Sequence, residues 1–187
     1  MTERLEEILT VAAGLFKEKG YTAVTMRDIA KALNIKAASL YNHISSKQDL
    51  LKHIILNIAE RFTNGMHIVL NDNLNAVDQI KALIDLHINI AKNYPHELAT
   101  LNTDWNHLEN DLHYYLNLRN EYEQNFRSII QSGIENRNIK SIDVEVVLFS
   151  LLATLRNLYL WIPKKSELDA EKLKIELIEI FVSGIQS

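Results

Sequence analysis

The sequence predicts an all-α fold of about nine helices, and two observations support that prediction. Apolar residues recur at spacings of three and four along most of the 187-residue chain, as on one face of a helix. The chain has five glycines and two prolines, too few for the many turns of a β-sheet protein. It has no cysteine, which excludes disulfides, thiolate metal sites and cysteine nucleophiles.

Capping residues delimit the first two helices. The first is predicted over residues 3–19, with Gly20 as the glycine that follows a helix C-terminus. Thr25 opens the second helix, and Asp28, three residues later, can complete a capping box with it. This helix is short and ends near Asn34, because asparagine tolerates the left-handed conformation that a sharp helix exit needs.

A third short helix and a longer fourth helix follow. The third is predicted over about residues 36–43, with Leu40 buried. The fourth begins after two serines and carries an apolar run that reaches Phe62. Its expected capping-box pairs are Ser45 with Gln48 and Ser46 with Asp49.

The rest of the chain is predicted to form a helical bundle. A polar loop at residues 71–75 precedes helices over about 77–93, 96–109 (one or two short helices), 111–136, 143–161 and 168–185. The segment 143–161 is apolar almost all round, and the last helix has two apolar edges, so both need cover on more than one side. We therefore expect a homodimer formed through these last two long helices.

The charge distribution separates a basic stretch from an acidic remainder. Residues 20–53 carry five Lys or Arg against two acidic residues, a net charge of +3. Residues 54–187 carry 12 against 18, a net charge of −6. A basic stretch in a chain of net charge −4 points to contact with a polyanion, although an excess this small also arises by chance.

Residues 20–51 contain the pattern that is most informative about function. Two short helices joined by a tight turn at Asn34 form a helix-turn-helix unit, whose second helix can enter the major groove of DNA. With Leu40 turned inward, its neighbours can face outward, and they are short or polar side chains suited to base edges, thymine methyls and phosphates. These neighbours are Ala37, Ala38, Ser39, Tyr41 and Asn42.

This unit resembles the DNA-binding signature of the tetracycline-repressor (TetR) family. The matching positions are Gly20, Thr25, Arg27, Asp28, Ile29, Ala30, Ser39, Leu40, Tyr41, His43, Lys47 and Leu50. The resemblance implies a homodimeric helical regulator, usually a repressor, that binds a palindromic double-stranded DNA operator and a small-molecule effector. It divides the chain into a DNA-binding domain, 1–48, and an effector-binding and dimerisation domain, 49–187.

The resemblance also implies roles for individual side chains. The expected phosphate contacts are Thr25, Arg27, Tyr41, His43 and Lys47, and the expected base or groove contacts are Ala37, Ala38, Ser39 and Asn42. Lys36 stands where the family usually has a serine cap, which costs the third helix about 1 kcal/mol and adds a cation near DNA. Other departures are Asn34 for glycine, Ile44 for phenylalanine and Ala37 for a frequent basic residue.

The C-terminal half is similar to the branch of the family that responds to acyl-CoA thioesters. The matching pattern is Trp105, Leu108, Arg119, Tyr122, Glu123, Phe126, Arg127, Ile129, Ile130, Gly133, Asp143, Trp161 and Gly184. An acyl chain needs an apolar tunnel and the CoA phosphates need nearby cations. The candidate effector residues are Trp105, Arg119, Tyr122, Phe126, Arg127, Arg156 and Trp161.

Several alternatives stay open for this half. Arg156 can meet a ligand head group, a carboxylate of the second subunit, or Glu123 of its own. The two tryptophans can line a pocket, but tryptophans in such positions belong more often to the core. Leu158 follows Asn157 where the branch has a tryptophan. Lipophilic cations compete with acyl-CoA as effectors, and a regulator acting by protein contacts alone would need no small ligand.

Other classes of function have little support in the sequence. The acidic N-terminus does not resemble a signal peptide, and the longest apolar stretch is too short to span a bilayer. We therefore expect a cytoplasmic protein that has no membrane partner. The histidines lack the spacing of a zinc site, and the chain has neither a phosphate-binding glycine loop nor a nucleophile motif. We therefore expect no metal, no cofactor and no enzymatic activity.

Overall fold

The computed structural model describes residues 2–162 and 169–186 and confirms the all-α fold class. The elements are α1 (Glu3–Lys19), α2 (Met26–Ala32), α3 (Ala37–Leu40), α4 (Lys47–Asn71), α5 (Ala76–Asn93), α6 (Pro95–Asp104), α7 (Leu112–Glu135), α8 (Val144–Leu155), α9 (Leu158–Trp161) and α10 (Ala170–Ile185). Two 3₁₀ turns, Trp105–His107 and Glu109–Asp111, join α6 to α7. The predicted start of the last helix at residue 168 lies outside the described residues.

The chain folds into two compact units. The first contains the chain up to Ala59 together with Tyr94–Leu116, and the second contains Glu60–Asn93 with the chain from Asn117 onward. Helices α4 and α7 therefore each contribute to both units. The division into 1–48 and 49–187 concerns function rather than contacts, and it stays a prediction.

The first unit is centred on α1, which packs against both α2 and α6. Ile8 and Phe16 on α1 are fully buried, as is Ile54 on α4. Pro95 occupies the first turn of α6, where its missing N–H has no helical partner to lose. The same proline separates α6 from α5, as the sequence predicts.

The second unit is centred on α5, which contacts α8, α9 and α10. Its inward face includes Ile80, Leu83 and Ile84, all fully buried. Gly133 on α7 is held against Ile139 and Ala76, since a Cβ at this position would lie 2.5 Å from a side-chain carbon of Ile139. Close packing therefore accounts for this glycine without a ligand.

The predicted single helix over 143–161 is wrong, because the helix breaks after Leu155. Arg156 and Asn157 form a turn, in which the side-chain amide of Asn157 donates to the carbonyl of Ala153 at 2.7 Å. Val144–Trp161 is apolar enough to be a candidate membrane span by length and composition, a test that core helices of soluble proteins also pass. Leu148, Leu151, Leu152, Leu155 and Leu158 are in fact buried within the unit.

Candidate functional site

Residues 25–40 adopt the helix-turn-helix geometry that the sequence predicts. Thr25 and Asp28 form a complete capping box at the start of α2. Asn34 takes a left-handed backbone conformation, φ 54°, at the turn between the helices. Helices α2 and α3 contact each other, and Ile29, Ala30 and Leu40 are buried. Local capping and a small hydrophobic core therefore set the orientation of α3 relative to α2.

The candidate DNA-binding side chains lie on α2, on α3, at the residues that cap these helices and in the turn after α3, except Lys47, which begins α4. Seven of them are exposed, namely Thr25, Arg27, Lys36, Ala38, Tyr41, Asn42 and His43. Tyr41 is 53% exposed, so a partner can reach its ring and its hydroxyl. Ala37 and Ser39 are half-buried, so a partner would reach only part of each. Lys36 makes no side-chain capping bond, as expected.

A cleft of about 450 Å³ lies between α2 and the start of α3. Three cationic side chains line it, namely Arg27, Lys31 and Lys36, together with Ala30, Asn34, Ile35 and Ala37. Lys31 is an addition to the predicted set, and its only signal in the sequence is the positive charge of residues 20–53. Three cations around one cleft suit a phosphate group.

Lys47 is held by the turn that precedes α2. Its ammonium donates to the carbonyls of Tyr21 and Val24, both at 2.9 Å, and lies 4.3 Å from the centre of the Tyr21 ring. A third carbonyl, that of Thr22, is 3.4 Å away. The contact of Lys47 with a phosphate stays a prediction.

One of the capping pairs expected at the start of α4 is wrong. Ser46 accepts from the backbone N–H of Asp49 at 3.0 Å, while the Asp49 carboxylate accepts from the backbone and hydroxyl of Ser45. Gln48 is not a capping partner, because its side chain bonds to Tyr21 and to the His107 carbonyl, both at 2.7 Å. Gln48 therefore bonds to residues that are distant in the sequence instead of capping its own helix.

In the second unit, the arginines predicted to bind an effector are paired with carboxylates. Arg156 donates to Glu123 at 2.6 Å, which is one of its three predicted partners. Arg119 donates to the same carboxylate at 3.2 Å, and Arg127 pairs with Glu145. Burial raises the pKa of Glu123, but hydrogen bonds and charge from the two arginines outweigh it and leave the pKa below its usual value.

A buried polar pair lies beside this ion cluster. His87 on α5 and Tyr122 on α7 are hydrogen-bonded, with 3.0 Å between the imidazole Nε2 and the phenol oxygen. The His87 Nδ1 is buried and has no hydrogen-bond partner among the described residues. Burial, with a smaller contribution from the charge of Arg156, lowers the pKa of His87 to about 3. Burial also raises the pKa of Tyr122, so both groups are neutral at pH 7.

Aromatic rings surround this pair, and only some of them were predicted. Phe62 packs on both polar rings, with centroids 4.6 Å from His87 and 5.8 Å from Tyr122. Phe126, one of the candidates, meets Tyr122 edge to face. Sequence reasoning considered His87 only as a metal ligand, although its position on the apolar face of α5 was a signal of burial.

The predicted effector residues do not all belong to one cluster. Tyr122, Phe126 and Arg156 belong to the second unit, whereas Trp105 belongs to the first unit and packs on Tyr115 with ring centroids 5.9 Å apart. Trp161 ends α9 and is partly exposed. Among the described residues, no group of three His, Cys, Asp or Glu side chains could hold a metal ion.

Two family models match the chain. "Bacterial regulatory proteins, tetR family" matches residues 8–54, and "Tetracyclin repressor-like, C-terminal domain" matches residues 73–185. The chain is 25% identical over 187 residues to the HTH-type transcriptional repressor KstR2 of Rhodococcus jostii, covering 98% of this chain and 92% of that protein.

Solved structures of low sequence identity have the same fold. The ketosteroid transcriptional regulator KstR2 of Mycobacterium tuberculosis superposes with a TM-score of 0.93 at 20% identity, over 100% of this chain and 97% of that one. AibR, in complex with isovaleryl coenzyme A and operator DNA, superposes with a TM-score of 0.80 at 22% identity, over 96% of this chain and 98% of the other.

Proposed function

The chain belongs to the TetR family of bacterial regulatory proteins, and on that premise we propose that it is a homodimeric transcriptional repressor released from a palindromic operator by a small-molecule effector. The exposed side chains around α3, beside a cleft lined by three cations, are the observation that carries the DNA-binding part. Regulators of this family are soluble cytoplasmic proteins, and we assign this one to the same compartment.

On DNA, α3 enters the major groove, and the residues around it contact either backbone phosphates or bases. The cations Arg27, Lys31, Lys36 and Lys47 neutralise backbone phosphates. Thr25, Tyr41 and His43 donate hydrogen bonds to phosphate oxygens. Ala37 and Ala38 approach thymine methyls, while Ser39 and Asn42 bond to base edges. A base-reading surface made of such short side chains lets α3 lie deep in the groove.

The homodimer forms through α8 and α10. Both helices bury one face in their own unit and leave large apolar side chains exposed on the other. Phe149 is 49% exposed on α8, and Ile175 and Ile180 are each 66% exposed on α10. Covering such residues with a second copy removes apolar surface from water, and a two-fold axis matches a palindromic operator.

The effector is an acyl-CoA thioester or a related lipophilic acid derivative, bound in the second unit. Two observations support this class over lipophilic cations. AibR, which shares the fold, has been solved with isovaleryl coenzyme A bound. The ion cluster of the second unit contains two arginines, Arg119 and Arg156, and one carboxylate, Glu123, and this excess of positive charge suits an acidic ligand better than a cationic one.

A thermal-shift screen of the purified protein tests the effector class. The panel contains acyl-CoAs of several chain lengths, the matching free acids, CoA alone and lipophilic cations. A ligand at about 100 times its dissociation constant adds roughly 2.7 kcal/mol of stability, which raises the melting temperature by several degrees. We expect a shift with one acyl-CoA class and none with free CoA, whereas a shift with cations alone would overturn the assignment.

Selection from a randomised DNA pool tests operator binding. The purified protein should enrich duplexes with two inverted half-sites about one helical turn apart, because each subunit presents one α3. Enrichment of single half-sites would contradict the proposal that the protein binds DNA as a dimer. Adding the acyl-CoA identified by thermal shift should release the selected duplex.

A further inference from the structure

Gln48 connects three parts of the first unit that are far apart in the sequence. Its side-chain oxygen accepts from the Tyr21 hydroxyl, and its side-chain nitrogen donates to the carbonyl of His107, each at 2.7 Å. Tyr21 lies in the turn before α2, Gln48 in the first turn of α4, and His107 in the 3₁₀ turn after α6. We call this arrangement the Gln48 bridge.

Ring contacts and ion pairs strengthen the same connection. The rings of Tyr21 and His107 stack with centroids 5.3 Å apart. Lys52, one turn further along α4 than Gln48, pairs with Asp111 in the second 3₁₀ turn at 3.0 Å. The 105–111 segment is therefore bound to α4 at two points, at His107 through Gln48 and at Asp111 through Lys52.

The bridge also fixes the turn that leads into α2. Tyr21 is 8% exposed and meets Phe16 of α1 edge to face, with ring centroids 5.2 Å apart. Lys47, the neighbour of Gln48, donates to the Tyr21 and Val24 carbonyls. Val24 immediately precedes the α2 cap. The start of the helix-turn-helix is therefore bonded to α4 through Tyr21 and Val24. Its end continues directly into α4 along the chain.

We propose that Gln48 is a positioning residue, which sets the orientation of the DNA-reading helices relative to the 105–111 segment without touching DNA itself. The proposal rests on the proposed function, since orientation matters only if two copies of α3 must meet two half-sites. Loosening the bridge leaves each α3 able to enter a groove, but the two α3 helices no longer hold one spacing. Binding to a full operator then loses the advantage of preorganisation.

The experiment compares DNA duplexes with Gln48→Leu, which removes both hydrogen bonds at similar side-chain volume. The duplexes are the palindrome that the unaltered protein selects, the same palindrome with one or two base pairs inserted at its centre, and a single half-site. Gln124→Leu, at an exposed position on α7, is the matched control. Tyr21→Phe removes one of the two bonds and keeps the ring contacts, so it decides the matter if Gln48→Leu does not fold.

We expect Gln48→Leu to bind the palindrome at least fivefold more weakly and the single half-site within twofold of the unaltered protein. The loss of affinity that inserted base pairs cause should also be smaller for Gln48→Leu than for the unaltered protein. Tyr21→Phe should show a smaller change in the same direction. An unchanged spacing profile, or equal weakening on the half-site and the palindrome, would overturn the proposal. If the unaltered protein itself does not prefer a palindrome to a half-site, the proposed function has failed instead.

Discussion

The DNA-reading helices and the C-terminal helices are held together by different kinds of contact. Around α2 and α3, the polar contacts are mostly local, such as the capping box of Thr25 and Asp28. The second unit has local pairs too, such as Arg119 with Glu123, but it adds pairs between distant positions, such as Arg156 with Glu123 and Lys174 with Asp85. The shape of the reading head, meaning residues 25–43, therefore depends mainly on neighbouring residues, whereas the shape of the second unit also depends on which distant helices pack together.

The largest expected effect comes from charging the exposed apolar faces of α8 and α10. Phe149→Asp combined with Ile180→Asp should give a monomer and weaken operator binding at least about a hundredfold, because only one half-site is then held at a time. Analytical ultracentrifugation and a DNA titration measure the two effects. Ile68→Asp is the control, since Ile68 is 65% exposed but lies on α4. A double variant that stays dimeric would refute the interface.

The next effect is a pH dependence of stability that His87 causes. With a folded pKa of about 3 against 6.5 when unfolded, His87 stays neutral in the native state while the unfolded chain takes up a proton. Stability is therefore lost as pH falls from about 6.5 towards 3, by about 2 kcal/mol between pH 7 and pH 5.

Urea unfolding at several pH values measures the contribution of His87. The free energy of unfolding of His87→Gln should fall less steeply below pH 6.5 than that of the unaltered protein. His43→Gln, at an exposed position in the reading head, serves as the control and should run parallel to the unaltered protein. Parallel curves for His87→Gln as well would show that the imidazole is protonated in the folded state.

Removing the local cap should have a smaller effect, confined to the reading head. Thr25→Ala removes the side-chain acceptor for the Asp28 N–H, which is 3.2 Å from the Thr25 hydroxyl. The expected loss is about 1 kcal/mol of stability, with dimerisation unchanged. Thr25→Ser retains the hydroxyl and should restore most of the loss. Differential scanning calorimetry measures the change, and an undiminished melting temperature in Thr25→Ala would contradict the role of the cap.

The smallest effect concerns a single cation of the cleft. Lys36→Ala should reduce the slope of log affinity against log salt concentration by about one unit. The affinity itself should fall only a few-fold at physiological salt. Fluorescence anisotropy at four salt concentrations measures the slope. Lys92→Ala, an exposed change on α5, should leave the slope as it is. A uniform loss without a change of slope would mean that Lys36 does not touch a phosphate.

Local pattern accounts for the parts of this structure that were predicted correctly. Residues 111–136 were predicted as a helix and α7 covers Leu112–Glu135, because the apolar period extends over many turns. The left-handed Asn34 was predicted from its residue type and its place at a helix exit. The break after Leu155 was missed although two polar residues, Arg156 and Asn157, mark it, because apolar residues resume at Leu158 and the stretch was taken as one helix.

The amino-acid sequence by itself determined the fold class, the helix-turn-helix unit and the family, because caps, turns and helical periodicity depend on residues at most a few positions apart. The tertiary structure decided the partners of the long polar side chains. Gln48 bonded to Tyr21 and His107 rather than to its own helix, and Arg156 found Glu123 among three candidates. Such choices depend on which distant segments the packed helices bring within about 3 Å, and no local pattern encodes that distance.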